Sequence, residues 1–355
     1  MTLAWVAVTL AAALAISGGI TELVRRRAVR RADFDVPNAR SSHAVPTPRG
    51  GGLGVVVAVT LGGTALAWGG RIEWRTWLAV ALPGLLVAVV GWLDDRGRLR
   101  VARARLALHL VAAAALVAAL GGLPPLVLVD APVDLGWVGH ALAVVYVAWM
   151  LNLFNFMDGI DGITAVETIS VCACVVAVEV LAGAGNELLA PPALVAAASA
   201  GFLVYNWPPA RIFLGDVGSG YVGYVLAALS LVSAGRDPRA GWVWLVAVGA
   251  FAADATVTLV RRVARRERVT VAHRTHAYQH LARDAARHLP VTLGVGALTI
   301  AWLGPWGWAI ARGSVPPLAG AALAYAPLVV GAWAMGAGRD RADARAPSAD
   351  DRQRS

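Results

Sequence analysis

The sequence has only two cysteines, and both lie within one apolar run. Cys172 and Cys174 are two residues apart, and the chain offers no second pair with which they could form a zinc site. We interpret both as small buried residues. The cysteine content therefore gives no indication of a metal centre or of a disulfide-stabilised fold.

Charge is also scarce, because only 15% of the 355 residues are charged, against about 25% in soluble domains. Hydrophobic residues make up 58% of the chain, and the mean hydropathy is +0.63. Apolar runs of about twenty residues, the length that a helix needs to cross a bilayer, recur along nearly the whole chain. The shorter alternating segments of a transmembrane barrel are missing. The composition predicts an all-α, polytopic helical membrane protein.

Lysine is absent, so all 31 basic residues are arginines, and the net charge is +9. In a soluble protein, a pI near 10.6 would suggest binding to nucleic acid. Here the arginines flank the apolar runs, where they orient a protein in the membrane. We therefore expect membrane lipids as partners, and no nucleic acid.

Eleven transmembrane helices are predicted, with the N-terminus outside and the C-terminus inside. The first apolar run carries its positive charge after it rather than before it, as an uncleaved anchor does and a signal peptide does not. The predicted spans are approximately 2–24, 51–68, 76–93, 106–123, 137–151, 163–181, 193–205, 221–233, 242–260, 289–311 and 316–335. We expect one integral membrane catalytic domain over residues 1–336, followed by a polar, disordered cytoplasmic tail over 337–355.

The arginines support this orientation, since the predicted inside segments hold 26 of them and the outside segments five. All the polar clusters of the chain then fall on the cytoplasmic face. These clusters are residues 43–52, 94–96, 152–161, 206–219 and 273–280. Their convergence on one face predicts a single cytoplasmic-facing active site.

The stretch from Asn152 to Ile163 places two carboxylates, two amides and two glycines between apolar runs. Asp158 and Asp161 are three residues apart, so a helical turn would put both on one face. Carboxylates that close repel each other unless a cation or hydrogen-bond donors lie between them. The alternative is a polar loop between two membrane helices.

Two further clusters carry oxygen ligands. Asp94 and Asp95 stand where a span leaves the bilayer and could bind a divalent cation or act as a base, or form a polar cap balanced by arginines. The glycine-rich turn around Asp216 could direct N–H groups at a phosphate and offer Mg²⁺ a hard oxygen. It lacks the Gly-Lys-Ser/Thr of a P-loop, and an ordinary turn with a helix cap is the alternative.

The basic segment 273–280 contains three histidines, His273, His276 and His280. No cysteine or acidic residue stands at zinc-ligand spacing, so phosphate or nucleotide binding is the better-supported role. A solvated loop held to lipid headgroups is the alternative. Asp254 lies inside a predicted span, where ionisable residues are rare, and we expect it to have a functional or site-supporting role.

In this order, the clusters resemble the polyprenyl-phosphate N-acetylhexosamine-1-phosphate transferases of glycosyltransferase family 4. The resemblance runs from about residue 38 to 285. It rests on Pro46-Thr-Pro-Arg-Gly-Gly-Gly, Asp94-Asp95, Asn152-x-x-Asn155-x-x-Asp158-Gly-x-Asp161-Gly, Asn206-x-x-Pro-Ala-Arg-Ile-Phe-Leu-Gly-Asp216-x-Gly-Ser, and Asp254 ahead of Arg261-Arg262.

The resemblance implies transfer of a sugar-1-phosphate from a UDP-sugar to polyprenyl phosphate in the bacterial inner membrane, with release of UMP. It implies Mg²⁺, for which Mn²⁺ can substitute, bound by Asn155 and Asp216, and a catalytic role for Asp94 and Asp95. The expected substrate- and nucleotide-binding residues are His43, Asn152, Asp158, Asp161, Asn206, Arg211, Gly215, Asp254, His273, Arg274, His276 and His280.

The histidine segment departs from the relatives that act on UDP-GlcNAc or on the peptidoglycan precursor, because only His276 clearly matches their closely spaced histidines. With Arg40-Ser-Ser-His-Ala-Val-Pro-Thr-Pro-Arg, the chain looks more similar to the branch that initiates O-antigen-type glycans, some members of which use deoxy-HexNAc donors. A homodimer is an expected assembly.

A phosphate monoester is largely dianionic at neutral pH, so the acceptor needs positioning more than deprotonation. We therefore expect direct attack on the donor's β-phosphorus, with Asp95 or Asp94 orienting the acceptor, and a covalent phospho-aspartate as the alternative. A transporter or flippase for anionic lipid-linked sugars is the rival function, but the chain lacks the internal repeat common in transporters. It also lacks the spaced aspartates of CDP-alcohol phosphotransferases.

Overall fold

A computed structural model describes residues 3–37, 45–99, 101–129, 131–183, 189–267 and 273–340. Within these ranges the regular elements are helices, apart from one short antiparallel hairpin and an isolated bridge between Asp35 and Thr47. In the hairpin, Leu126 of β1 (Leu126–Val127) pairs with Val133 of β2 (Pro132–Val133). The predicted all-α membrane class is confirmed at this level.

The helices of the described chain follow the apolar runs of the sequence, except the one at Ala277–Asp284, which lies in the basic histidine segment. They are α1 (Leu3–Arg30), α2 (Leu53–Trp68), α3 (Trp74–Asp95), α4 (Ala102–Ala119), α5 (Gly136–Met157), α6 (Ile163–Ala182), α7 (Ala190–Asn206), α8 (Asp216–Arg236), α9 (Ala240–Ala247), α10 (Gly249–Ala264), α11 (Ala277–Asp284), α12 (Leu289–Leu298), α13 (Gly304–Ala311) and α14 (Pro317–Ala334), with a π-helical segment, Thr299–Leu303, joining α12 to α13.

Eight helical segments of the described chain are long and apolar enough to cross a membrane, if Leu289–Ala311 counts as one. The bent pair α9 and α10 can form a ninth span, while α2 and α7 are shorter apolar helices. All eleven predicted runs thus lie on helices. The number of true spans and their orientation remain predictions.

Several helices differ from the predicted boundaries. α4 lies four residues earlier than the predicted span 106–123, α5 continues six residues past 151, and α8 begins five residues before 221. α1 continues six residues beyond the predicted end of its span, to Arg30. Glu22 pairs with Arg25 and Arg26 on the following turn, with nitrogen–oxygen distances of 2.6 Å, which supports the helix there. The run 242–260 is not one straight helix, since α9 and α10 meet at 64° at Val248.

Helix α8 is the central helix of the bundle, and 94% of the residues in its most apolar 18-residue stretch are buried. It packs between α3 and α5. Its glycines allow this close approach: a Cβ on Gly223 would lie 2.3 Å from the carbonyl oxygen of Met150 in α5. The first turn of α8 is thereby held against the ends of α3 and α5, which is where the acidic clusters lie.

Both cysteines are buried in α6, as predicted. The predicted tail begins at residue 337, yet Ala337 is fully buried and the N–H of Gly338 donates to the carbonyl of Thr275 at 2.7 Å. Residues 341–355 lie outside the described residues, so the predicted boundary and disorder of the tail stay predictions.

Candidate active site

The first link in the site joins the 46–52 motif to the segment that precedes α8. The N–H groups of Gly51 and Gly52 donate to the carbonyls of Phe213 and Leu214, each at 2.9 Å. A Cβ on Gly52 would lie 2.3 Å from the Cα of Gly218, so only glycine allows this approach. The pairing brings Arg49 beside the start of α8.

Asp95 fastens the end of α3 to the start of α8. Its two carboxylate oxygens accept hydrogen bonds from the N–H groups of Asp216, at 2.9 Å, and Val217, at 3.1 Å. Gly215 precedes them with φ +76°, and a Cβ there would lie 2.6 Å from an Asp95 oxygen. These are the contacts of a helix N-cap, supplied here by a residue from another helix.

Asn155 and Asp216 are in direct contact, as expected of a shared ligand pair. The Nδ2 of Asn155 donates to an Asp216 oxygen at 2.9 Å and to the Ser219 hydroxyl at 3.1 Å. Arg105 forms an ion pair with Asp94, and the same nitrogen lies 3.7 Å from the second Asp216 oxygen. Asp94, Arg105, Asp216 and Asn155 therefore form one continuous polar chain.

Asp158 adds a further carboxylate to this region. Burial and the charge of Asp216 together raise its pKa to about 8, although a hydrogen bond with Thr164 and the charge of Arg49 oppose the shift. Arg49 is itself partly desolvated, but the carboxylates of Asp35, Asp95 and Asp216 outweigh this effect and raise its pKa. The three carboxylates of Asp94, Asp95 and Asp216 outnumber the guanidinium groups of Arg49 and Arg105 that lie within 4.0 Å of them, a condition that a bound cation would relieve.

The residues present fit a magnesium ion, although they do not form a complete cage. Among the described residues, no three His, Cys, Asp or Glu side chains are grouped as metal ligands. Mg²⁺ keeps few protein ligands and shares the rest with water and substrate phosphates. Asp216, whose side chain is 33% exposed, and Asn155, once its amide turns its oxygen outward, offer such a partial set.

Asp161 does not share a helix face with Asp158. Helix α5 ends at Met157, so the helical turn predicted as one possibility for residues 158–161 does not form, and the two carboxylates have different surroundings. Its carboxylate accepts from the N–H of Ala210 at 3.1 Å and lies 3.1 Å from the Nδ1 of His288. The structure places Asp161 where it fastens its loop to the segment after α7.

Asn206 strengthens the same connection. Its side-chain oxygen accepts from the N–H of Gly162, and its Nδ2 donates to the carbonyl of Ile212, both at 2.9 Å. Arg211 donates to the carbonyl of Val204 and lies 4.9 Å over the ring of Tyr205. Asn152 donates to the carbonyl of Ala148, one turn earlier in α5.

Asp254 positions the histidine segment. Its two oxygens accept from the N–H groups of Ala277 and Tyr278, each at 2.9 Å, and one lies 3.4 Å from the Nδ1 of His276. The Tyr278 hydroxyl donates to the carbonyl of Phe156 at 3.1 Å. The histidine segment is therefore fastened to the end of α5, within the Asn152–Ile163 stretch.

The three histidines have different partners. The rings of His273 and His276 stack at 5.1 Å, and His280 lies 2.6 Å from a guanidinium nitrogen of Arg283. Burial, with His276 adding to it, lowers the pKa of His273 to about 4, so this ring is neutral at neutral pH. The Arg274 carbonyl accepts from Arg283. His43 lies outside the described residues.

Four residues of this region were missed as site residues: Arg49, Arg105, Tyr278 and His288. Arg105 is eleven residues after Asp94 and was counted only for orientation. A sequence signal did exist, because an arginine in the first turn after a short loop can reach back to the preceding acidic pair. His288 and Tyr278 give no such signal, since their partners are more than a hundred residues away in sequence.

The fold and the site define a multi-pass membrane protein with an acidic and arginine-rich centre at one end of its helix bundle. The family model "Glycosyl transferase family 4" matches residues 77–234. A Streptomyces coelicolor protein named as a glycosyltransferase is 35% identical over 82% of this chain and 67% of its own length. The chain belongs to glycosyl transferase family 4 and is an enzyme of the phosphotransferase type.

Two further relatives have more specific names. A Bacillus subtilis protein named undecaprenyl-phosphate N-acetylglucosaminyl 1-phosphate transferase is 29% identical over 76% of this chain and 75% of its own. The decaprenyl-phosphate N-acetylglucosaminephosphotransferase of Mycolicibacterium smegmatis is 34% identical over 61% of this chain. The match spans 57% of the latter protein's length.

Proposed function

We propose that this enzyme transfers a HexNAc-1-phosphate, or its deoxy form, from a UDP-sugar to polyprenyl phosphate and releases UMP, as the initiating step of a cell-surface polysaccharide. The observation that carries the proposal is the contact between Asn155 and Asp216 beside the Asp94–Arg105 ion pair. The names of the relatives, which include polyprenyl-phosphate acceptors, support the same chemistry.

Two anionic substrates must approach each other in this reaction, which requires positive charge at the site before any bond can form. Asn155 and Asp216 would hold Mg²⁺, which would offset the negative charge of the two phosphates when bound. Arg105 reaches both Asp94 and Asp216 and is placed to contact a phosphate without leaving the cluster. Arg49 lies on the other side of Asp95.

In the reaction, an oxygen of the acceptor phosphate attacks the β-phosphorus of the donor, and the bond from that phosphorus to the bridging oxygen breaks. UMP leaves with the bridging oxygen, and the sugar-1-phosphate stays on the lipid as a diphosphate. The arrangement favours this direct route, because both oxygens of Asp95 already accept backbone hydrogen bonds. Asp94 is the better group to receive a proton from a singly protonated acceptor.

The donor and the pathway form the finer part of the proposal. The two specifically named relatives bear the name of N-acetylglucosamine, which makes UDP-GlcNAc the first donor to test. His273, His276 and His280 are not as closely spaced as the histidines of relatives that act on UDP-GlcNAc. A deoxy-HexNAc donor and an O-antigen-type pathway are therefore the second choice. The Asn155 and Asp216 pair suits Mn²⁺ as well as Mg²⁺, since both prefer oxygen ligands.

The proposal is tested with purified full-length enzyme, undecaprenyl phosphate, Mg²⁺ and a panel of UDP-sugars. We expect equal amounts of UMP and lipid-linked sugar with one HexNAc donor, and neither product after chelation of the metal. Asn155→Ala should raise the Mg²⁺ concentration needed for half-maximal rate by about tenfold, the effect of losing one ligand contact. Release of UDP instead of UMP would contradict the proposed bond cleavage.

A further inference from the structure

The chain turns back onto the protein where α14 ends, at Ala334. The N–H of Gly336 donates to the carbonyl of Trp333 at 3.2 Å, and the N–H of Ala337 donates to the carbonyl of Ala332 at 3.0 Å. Gly336 has a φ of +85°, in the left-handed region. These two hydrogen bonds and the glycine form a Schellman motif, a common way for a helix to end. We call residues 335–338 the C-terminal turn.

Gly338 goes beyond what this motif needs. It is a second glycine with a positive φ, +76°, and its N–H donates to the carbonyl of Thr275 at 2.7 Å. A Cβ on Gly338 would lie 2.9 Å from the carbonyl oxygen of Thr258 and 2.9 Å from the Cβ of Arg261. A side chain there would therefore push the C-terminal turn away from α10. This glycine serves the contact with α10 and with the histidine segment rather than the end of α14.

Two further contacts hold the C-terminal turn in place. Ala337 is fully buried and packs in one apolar cluster with Val257 of α10 and Ala277 of α11. The guanidinium of Arg261 donates to the carbonyls of Trp333 and Ala337, each at 2.9 Å, and lies 4.8 Å from the centre of the Trp333 ring. A cation at the C-terminal end of a helix satisfies carbonyls that have no partner within the helix, and it interacts favourably with the helix dipole.

Thr275 is the residue through which the C-terminal turn reaches the histidines. Its hydroxyl lies 3.0 Å from the Nδ1 of His273. His276 follows Thr275 directly, and its ring stacks on that of His273 at 5.1 Å. Asp254 accepts from the N–H groups of the two residues after His276. The histidine segment is thus held at two nearby points, by the C-terminal turn before His276 and by Asp254 after it.

Both points depend on one face of α10. Asp254, Thr258 and Arg261 are four and three residues apart, so they lie on the same side of the helix. Asp254 holds the histidine segment and accepts from the Thr258 hydroxyl at 3.1 Å. Thr258 and Arg261 form the surface against which Gly338 lies. Displacing the C-terminal turn would therefore free the carbonyl of Thr275 and leave the hydrogen bonds of Asp254 in place.

We propose that the C-terminal turn positions the histidine segment for binding of the UDP-sugar, and that Gly338 is a positioning residue of the reaction. This inference rests on the proposed function, since it takes the histidine segment as part of the donor site. Gly338 acts through the carbonyl of Thr275 and not on the substrate itself. The residues proposed for the metal, Asn155 and Asp216, have no hydrogen bond to the C-terminal turn. The effect should therefore fall on the donor.

Hydrogen–deuterium exchange tests the hold on the histidine segment without any substrate. The purified full-length protein is measured in phosphatidylcholine nanodiscs, as wild type and as Gly338→Ala. We expect the amides of residues 273–284 to exchange about tenfold faster in the variant, the order of effect of one lost hydrogen bond. Exchange at the wild-type rate in Gly338→Ala would overturn the inference.

Gly331→Ala is the matched control. Gly331 lies within α14, its φ is not positive, and the only atom near an added Cβ is the Cε of Met335 at 3.7 Å, an ordinary contact. Its exchange over residues 273–284 should equal that of the wild type. Arg261→Met is a second test variant, because it removes the donors to the carbonyls of Trp333 and Ala337 but keeps the side-chain stem. It should speed the same exchange if Gly338→Ala does not fold.

Steady-state kinetics with the UDP-sugar that the wild-type enzyme uses distinguish positioning from a merely structural role. In Gly338→Ala the KM for this donor should rise by about tenfold, while kcat and the KM for undecaprenyl phosphate stay within about twofold. A structural role alone would reduce the amount of active enzyme and lower kcat at an unchanged donor KM. That pattern, or faster exchange with an unchanged donor KM, would overturn the inference.

The two measurements also separate this inference from the proposed function. Active wild-type enzyme whose Gly338→Ala variant keeps the wild-type exchange and donor KM would overturn the inference and leave the function intact. In a protein without transferase activity, exchange that depends on Gly338 would support the hold of the C-terminal turn on the histidine segment and contradict the proposed function.

Discussion

Asp94 and Asp95 are neighbours in the sequence, but they have different partners. Asp95 accepts two backbone N–H groups of α8, while Asp94 pairs with Arg105 next to Asp216. The sequence predicted a catalytic role for both through one resemblance. The contacts suggest a division in which Asp95 positions the start of α8 and Asp94 is the group nearer to the reacting phosphates.

Substitution of each residue tests this division. Asp94→Asn should lower kcat by about a hundredfold, since it removes a proton acceptor and a charge, and should leave the thermal midpoint almost unchanged. Asp95→Ala should lower the stability by about 1–2 kcal/mol, because α8 loses its cap. Rate and thermal unfolding measured on both variants give the comparison. Equal stability loss in the two variants would argue against separate roles.

Asp158 gives a pH-dependent prediction. Burial raises its pKa from 3.8 to about 8, so between these values the native state keeps a proton that the unfolded chain has lost. Stability should therefore fall as pH rises through this window. Asparagine cannot titrate, so the Asp158→Asn variant escapes this loss of stability. Its melting temperature minus that of the wild type should therefore increase as the pH of a metal-free buffer is raised from about 5 to about 8. Parallel melting curves across this range would show that Asp158 is not a buried neutral acid.

At the residue scale, the sequence was informative where the family resemblance assigns one task to residues of two different motifs. Asn155 and Asp216 are 61 residues apart, and the resemblance alone brought them together as a pair, which the structure shows in contact. Arg49 and Arg105 were overlooked because arginines near a membrane have a sufficient explanation in orientation. Only the fold shows that these two lie among carboxylates.

At the scale of elements, the turn that starts α8 depends on Gly215. Its φ of +76° favours glycine, and a Cβ would lie 2.6 Å from the Asp95 carboxylate. Gly215→Ala should cost more than about 1 kcal/mol of stability and should also reduce activity, because Asp216 moves with the turn.

Gly235, near the other end of α8, is the matched control for that substitution. It is exposed, it has no atom within 4 Å of an added Cβ, and its φ is not positive. Gly235→Ala should therefore be neutral or stabilising by up to about 1 kcal/mol. The measurement is the thermal unfolding of Gly215→Ala and Gly235→Ala. Equal changes in stability for the two variants would mean that the Gly215 turn tolerates a side chain.

The helices on the apolar runs could be predicted, because arginines or glycines stand at the ends of those runs, whereas α11 lies in the basic histidine segment and was not predicted. The bend between α9 and α10 could not, since a continuous apolar pattern does not distinguish a straight helix from a bent one. The sequence left the conformation at Asp161 open, since a helical turn and a polar loop were both possible there. Whether Asp158 and Asp161 share a helix face depends on where α5 ends, and Met157 gives no stop signal of its own.

At the scale of the whole molecule, five polar clusters spread over 240 residues meet at one end of the bundle, where hydrogen bonds between segments join their described residues. The sequence predicted this convergence from the distribution of arginines. It could not predict that the C-terminal turn holds the histidine segment, because that contact depends on how α10 and α14 pack. The orientation in the membrane follows from the arginines alone and is still a prediction.

Transfer of a sugar together with its phosphate is the central claim, and a doubly labelled donor tests it most directly. UDP-GlcNAc with ³²P at the β-phosphate and ³H in the sugar is incubated with undecaprenyl phosphate, Mg²⁺ and either wild-type enzyme or Asp216→Ala. We expect both labels to enter the lipid in the donor's own ratio with wild type, and neither to do so with the variant. Tritium in the lipid without ³²P, or unchanged labelling by Asp216→Ala, would contradict the account.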